Sequence, residues 1–303
     1  MIEVKVDNEY SRLKSVVLGN ALDMGDPPEF FDAFDPRSLY HIKNNSFPNE
    51  KAIAGEVNSF YNVLKKHNIE VYRPTNIHEC NQVFARDLGF VISNIFFQSN
   101  IVENRKIELN GLNHILKNIN VGVVKLPEFM HIEGGDVILH DDKVFIGTYS
   151  GKDYSDLITA RTNKESINYL SKMLPNKEII PIEINKSNSN IFDNILHLDC
   201  CFQPIGEKNA IICPDGFSSK DQLDLVLNIF GENNVYMAYG KEAFNLVSNL
   251  LVLSPKVIVS DKRFSKINTW LERNDFLVEK ISYKNVSKMS GLFRCSTLPL
   301  LRE

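Results

Sequence analysis

The feature that most constrains this chain is a pair of short apolar runs around a polar turn, met four times. GFVISNIFFQ (89–98) breaks at Ser93-Asn94 and DVILHDDKVFIG (136–147) at Asp141-Asp142. CFQPIGEKNAIICP (201–214) breaks at Gly206–Asn209, and LLVLSPKVIVS (250–260) at Pro255-Lys256. Apolar runs on either side of turn residues read as β-hairpins. A polar residue stands at the mouth of each first strand: Asp87, Asp136, Asp199 and Asn249. One further step of similar size reaches Cys295. The repeat is about 50 residues, and a helical pattern lies in most gaps. EKAIAGEVNSFYNVLKKH (50–67) puts Ile53, Val57, Phe60, Tyr61 and Leu64 on one face and ends in lysines that suit a helix C-terminus. Residues 161–173, 219–230 and 262–274 also read as helices, the second with Ser218 or Ser219 as N-cap and Gly231 just past its end. A unit repeating at this period predicts a closed, propeller-like ring of five modules, with SVVLGN (15–20) completing the last one. In a ring the strand mouths converge, so residues distant in sequence share one site. A mixed α+β sheet built from the same hairpins is the alternative.

Composition removes several classes of function. The 303 residues are 43% hydrophobic and 24% charged, with a net charge of −4. Such a chain, with no basic stripe, does not suit a nucleic acid or an anionic membrane surface. No apolar run approaches the roughly 18 residues of a membrane span. The opening MIEVKVDNEY lacks the apolar stretch of a signal peptide, so a cytoplasmic location is expected. Cys80, Cys200, Cys201, Cys213 and Cys295 are odd in number and show no C-x-x-C spacing, which argues against a disulfide framework and a thiolate zinc site.

The chemistry is concentrated at the strand mouths, which read FARDLGF (84–90), HIEGGDVI (131–138), LHLDCCF (196–202) and RCSTLPLLR (294–302). An ionised carboxylate buried at a strand end is costly unless paired. No excess of buried lysine or arginine is expected, so a cationic ligand would have to balance the cluster. A guanidinium fits: it is planar, and its N–H groups match carboxylates in bidentate fashion. Its delocalised carbon is a poor electrophile. Breaking a C–N bond there needs a soft nucleophile, an acid for the leaving nitrogen and carboxylates to hold the rest. A thiolate supplies the first and a histidine the second.

FARD, HIEGGD, HLD and RCSTLPL, in that order, resemble the guanidino-group-modifying enzymes of the pentein superfamily: arginine deiminases, dimethylarginine dimethylaminohydrolases and arginine amidinotransferases. The resemblance runs from about residue 50 to the C-terminus. It implies an α/β fold of five ββαβ modules in pseudo-fivefold, propeller-like arrangement, here a single catalytic domain over residues 1–303. Carried over by motif, Cys295 is the nucleophile that forms a covalent amidino-cysteine intermediate, His197 is the general acid and base, and Glu133 orients His197 or shares its proton work. Asp87 and Asp199 clamp the guanidinium nitrogens. Asp136 is a further substrate contact or a structural group. Arg86 holds a substrate carboxylate or, on the favoured reading, a structural ion pair. The implied chemistry requires no metal or organic cofactor. A metal on His131, Glu133 and Asp136 is the competing use of those residues, but the spacing of paired-histidine sites is missing. Gly134-Gly135 can be a bulge admitting close backbone approach, and Cys200-Cys201 are read as core packing.

Three features bear on the reaction. HLD retains Asp199, which suits an unsubstituted guanidinium, and RCSTLPL is more like the deiminase ending. SFPNEKAIAGEVNSFYNVLKKHNIEVYRP instead resembles amidinotransferases. The glycine run common before the catalytic cysteine is reduced to Gly291. A hydrolase acting on arginine or an arginine-like guanidine is favoured over an amidinotransferase, and a non-catalytic arginine binder is the third reading. The expected partner is a small-molecule guanidine, with specificity in loops such as 20–48 and 148–160. A homo-oligomer stays open.

Overall fold

Where the sequence alternates short apolar runs with two-residue turns, the chain folds back on itself. The computed structural model describes residues 1–30, 33 and 35–303, so part of the 20–48 loop lies outside the described residues. Strand β1 (Leu13–Leu18) is followed by helices α1 (Pro36–Lys43) and α2 (Glu50–Lys66) and by β2 (Glu70–Tyr72), which pairs parallel to β1. Next comes the hairpin β3 (Gly89–Ile92) and β4 (Ile95–Gln98); after the short α3 (Asn113–Leu116), β5 (Val123–Lys125) adds parallel to β4. The plan then repeats. β6 (Val137–His140) and β7 (Lys143–Thr148) form a hairpin, and β8 (Glu178–Glu183) joins after α4 (Lys164–Met173). β9 (Phe202–Pro204) and β10 (Ala210–Ile212) form the next, joined by β11 (Val235–Met237) after α5 (Lys220–Phe230). Beyond α6 (Lys241–Phe244), β12 (Leu251–Ser254) pairs with β13 (Val257–Asp261), and β14 (Leu277–Ile281) adds after α7 (Ser265–Arg273). The last strand, β15 (Thr297–Arg302), returns to pair antiparallel with β1. Five three-stranded sheets of one ββαβ plan result among the described residues, and the chain's end completes the sheet its beginning started. SVVLGN therefore does close the ring, and the mixed-sheet alternative is set aside.

Local chemistry explains the turns. Ser93 (φ 52°) and Asp141 (φ 56°) occupy the left-handed region at their hairpin tips, which short polar side chains tolerate. Ser219 caps α5 by accepting from the Gln222 amide, and Gly231, with φ 77°, ends it. Helix α2 turns its apolar face inward, and Phe60 meets Tyr283 and Phe293 edge-on at 5.6 and 5.1 Å. That contact seats α2 beneath the turn carrying Cys295. No helix among the described residues is long and apolar enough to cross a membrane.

The catalytic motifs fall in the turns just before the first strands, not in the strands. Ala85–Leu88, Gly134–Asp136 and Leu198–Cys200 are single 3-10 turns, and the first packs on the second and the second on the third.

Candidate active site

Cys295 is 3% exposed. Its Sγ accepts a hydrogen bond from Asn249 Nδ2 at 3.0 Å and lies 3.8 and 3.6 Å from the two Asp199 oxygens. The Cys295 carbonyl accepts from the Arg86 amide at 3.0 Å, which ties this turn to the FARD turn. The neighbouring Cys200 side chain, burial and the Asp199 carboxylate together push the Cys295 thiol well above its ordinary range. Cys200 packs in the core cluster, as expected, and lies beside Asp199 and Cys295. Gly291 is required by close approach: a Cβ there would stand 2.5 Å from the Phe84 ring and 2.7 Å from Cys295 Cβ.

His197 is fully buried beside two carboxylates. Its Nε2 is 2.8 Å from Glu133 Oε2, and its Nδ1 is 3.6 Å from Asp87 Oδ1. Burial opposes a charged imidazole, but the Asp87 carboxylate and the hydrogen bond to Glu133 prevail and raise His197 to about 9. The imidazolium is therefore the resident form at neutral pH. Gly135 packs against its ring, where a Cβ would stand 2.6 Å from the nearest ring carbon. The double glycine of HIEGGD serves this contact.

The carboxylates do not wait for a ligand to balance them. Arg105 Nη1 donates to Asp87 at 2.6 Å, and its Nε and Nη2 grip Glu108 at 2.7 and 2.9 Å. Arg161 Nη1 donates to both Glu133 oxygens at 3.2 and 3.0 Å. Arg294, wholly buried, donates to Asp199 Oδ2 at 2.7 Å and to Glu9 at 2.9 Å. The expectation that no buried arginine balances the cluster is overturned, and with it the inference that only a cationic ligand can. Among the described residues, Asp87 Oδ1 is nevertheless left without a hydrogen bond. It lines a cavity of about 80 Å³ together with Cys295, His197, Arg105 and Arg161.

Asp136 is brought close in sequence register but not into that cavity. Its Oδ1 accepts from the Leu198 amide at 2.9 Å and its Oδ2 from the Thr162 hydroxyl at 2.6 Å, so it holds the chain beside His197. Burial raises its carboxyl above the ordinary range. Lys186 assists by donating to the Ile195 and Leu196 carbonyls at 3.0 and 2.7 Å. Arg86 makes no ion pair among the described residues. Its Nε donates to the Arg294 carbonyl at 3.3 Å, and burial lowers it to about 9. Arg294 takes the ion-pairing part that was read into Arg86.

Asp87, Glu133 and His197 offer ligand atoms close enough together for a metal ion, as do Asp199, Cys200 and Cys295. At the first cluster a metal would have to displace Arg105 and Arg161 and compete with the imidazolium proton. His131 belongs to neither grouping. A second cavity, of about 470 Å³, shares Arg161 with the first and is lined by Glu133, Lys106, His131 and Tyr154. A third, of about 460 Å³, shares Phe47, Asn81 and Glu108 with the first. The 20–48 segment contributes Pro28, Ala33, Asp35, Ser38 and Phe47 to the first cavity, and the 148–160 segment borders the second.

Glu9, Arg105, Arg161 and Arg294 escaped sequence reasoning. Only Arg294 carried a signal, its place beside Cys295 in RCSTLPL; the others lie outside the repeating strand mouths. Asn249 carried one too, the same register position as the aspartates.

Comparison with known proteins gives the family and the fold. The family model for N,N dimethylarginine dimethylhydrolase, eukaryotic, matches residues 37–302. YkgA, an uncharacterised protein of Bacillus subtilis (strain 168), is 30% identical over 241 residues, 79% of this chain and 77% of its own. The arginine deiminase of Bacillus thuringiensis subsp. konkukian is 26% identical over 211 residues, 57% of this chain and 48% of the deiminase, so the match spans about half of that relative's length. Among solved structures, SxtG, an amidinotransferase of saxitoxin biosynthesis from Microseira wollei, aligns over 99% of this chain and 97% of its own with a TM-score of 0.78 at 17% identity. The N-terminal domain of ArgZ, a cyanobacterial arginine dihydrolase, aligns over 95% and 97% with the same TM-score at 16% identity. At these identities the two structures establish a shared fold.

Proposed function

We propose, from the premise that this chain belongs to the N,N dimethylarginine dimethylhydrolase family and so to the guanidino-modifying enzymes of the pentein superfamily, that it hydrolyses the guanidinium of arginine or an arginine-like compound. The observation that carries this reading is one small cavity holding a thiol, an imidazole bonded to a carboxylate, and a carboxylate oxygen without a hydrogen bond together. A guanidinium entering it meets Asp87 Oδ1, and its positive charge offsets the burial that keeps Cys295 protonated. The thiol proton passes to solvent. Sγ then bonds to the guanidinium carbon, and the C–N bond to a terminal nitrogen breaks. His197 gives its proton to that nitrogen, which leaves as ammonia. Water next attacks the thioether carbon, His197 accepts a proton from it, and the C–S bond breaks to release a ureido product and the free cysteine. Glu133 keeps His197 charged and fixed. Asp199 sets both oxygens beside Sγ, at 3.8 and 3.6 Å, and Arg294 anchors it through the nearer one. Asp136 and Arg86 support the turns without touching substrate. The whole acts as one catalytic domain.

Hydrolysis is preferred to amidino transfer because the matched family and the deiminase relatives are named for hydrolysis, whereas the likeness to SxtG is one of fold. The test is mass-resolved product analysis with L-arginine, with and without glycine or ornithine. Citrulline and ammonia formed at the same rate with or without acceptor are expected. A guanidino product that forms only with the acceptor makes the protein a transferase. A non-catalytic binder would yield neither and would leave Cys295 unlabelled by a haloacetamidine at neutral pH.

A further inference from the structure

Asn249 stands at the strand mouth before β12, where the other modules place aspartate, and it is 0% exposed. Its Oδ1 accepts from the Leu292 amide at 3.0 Å and from the Cys295 amide at 3.2 Å. Those two bonds settle which way the amide points, because only oxygen can accept them. The Nδ2 group must therefore face Cys295 Sγ, at 3.0 Å, with a longer approach to the Asp199 carbonyl at 3.5 Å. An amide N–H can only donate, so the sulfur is held as an acceptor. A donor gains most from an acceptor that is charged.

We propose that Asn249 is the positioning residue of the nucleophile: its oxygen clamps the 292–295 turn, and its N–H fixes Sγ and stabilises the thiolate. The proposal rests on the reading of Cys295 as nucleophile. It gives the sulfur a direct donor that no cation supplies among the described residues: His197, Arg105 and Arg161 line the same cavity, beside Glu108, but do not donate to Sγ, and Arg294 is spent on Asp199 and Glu9. Asp199 and Cys200 flank the sulfur, Asp87 and Tyr283 act on it from other elements, and His197 shares its cavity. An aspartate at position 249, as in the other modules, would set a further negative charge against the sulfur.

Asn249→Asp is the informative variant. It is isosteric and keeps an oxygen for the two amides, but it replaces the donor with an acceptor that is charged at neutral pH. The measurement is the rate of Cys295 alkylation by iodoacetamide from pH 6 to 11, read by peptide mass, on full-length protein whose thermal melting is checked alongside. For Asn249→Asp the midpoint of the alkylation profile is expected to rise by at least one pH unit. The rate near neutrality should fall about threefold to tenfold, with the curves converging at high pH. Asn249→Gln, which keeps the donor, should stay near the wild-type midpoint. An unchanged midpoint in folded Asn249→Asp would overturn the proposal, as would a rate reduced equally at every pH, since both describe a residue that only shapes the turn. If Asn249→Asp does not fold, Asn249→Ala carries the same comparison. Failure of wild-type Cys295 to be labelled by a haloacetamidine, whose cationic amidine stands in for the guanidinium, would instead sink its role as nucleophile, and the two failures are thereby distinguished.

Discussion

His197 shows how single residues set the chemistry here. Its ordinary pKa is near 6.5, and Asp87 and Glu133 raise it to about 9 in the folded protein against the opposition of burial. A raised folded value means that its contribution to stability is complete below pH 6.5 and is lost as pH rises through 9. The melting temperature should therefore fall between those values, and His197→Asn should flatten the fall; parallel curves for the two proteins would refute the assignment. Turnover should show an alkaline limb near pH 9, where the acid for the leaving nitrogen disappears. Arg294 tests the other half of the cluster. Burial alone would raise the Glu9 carboxyl, but Arg294 and Arg86 hold it down to about 2. Arg294→Met strands Glu9 and Asp199 as buried charges without their main partner, which should cost about 3–5 kcal/mol in urea unfolding. A cost under about 1 kcal/mol would mean that water or another cation takes over.

At the scale of elements, the strand-mouth turn is what the ring repeats, and it explains what was legible in the sequence. The hairpins could be read because apolar runs and turn residues alternate locally, and helices α2, α4, α5 and α7 because their apolar faces recur within a few residues. Cys295, His197, Glu133 and Asp87 could be singled out because they occupy one register position in, or motifs attached to, successive modules. Arg105 and Arg161 could not. They reach Asp87 and Glu133 from connecting segments that share no periodicity with the mouths, and burial of a guanidinium depends on a partner the sequence does not place nearby. Asp136, read as a substrate contact or a structural group, has the right register, and its two oxygens are spent on the Leu198 amide and the Thr162 hydroxyl. The glycines of HIEGGD offer an element-level test. Gly135→Ala sets a Cβ into the His197 ring, and since misplacement by about 1 Å can cost on the order of a hundredfold in rate, a comparable loss in kcat is expected with far-UV circular dichroism unchanged. Near-normal kcat would show that the ring can shift without cost.

The whole molecule depends on a closure made by its two ends. β15 pairs with β1, the Lys5 amide donates to Leu300 and Arg302 donates back to Lys5, while Val6 bridges to the Ser93 turn of the following module. Each sheet has only three strands, the least that can be stable on its own, so packing between neighbours around the ring is expected to carry much of the stability. A defect at the closure should then be felt beyond the closing sheet. The single tryptophan, Trp270, lies on α7 in the module that precedes the closing sheet, with its ring 5.4 Å from that of Tyr236, and serves as a reporter outside that sheet. Leu300 is 0% exposed and packs in the core cluster around β3 and β6, whereas Trp270 lies against the other core cluster. Leu300→Asp buries an unpaired carboxylate, a loss of several kcal/mol. If the five modules unfold as one, the Trp270 fluorescence transition in urea should move to lower denaturant in step with far-UV circular dichroism. A Trp270 midpoint left in place while the circular dichroism transition splits would show that the modules are held together loosely enough to melt separately, and the idea of a ring stabilised by its closure would fall.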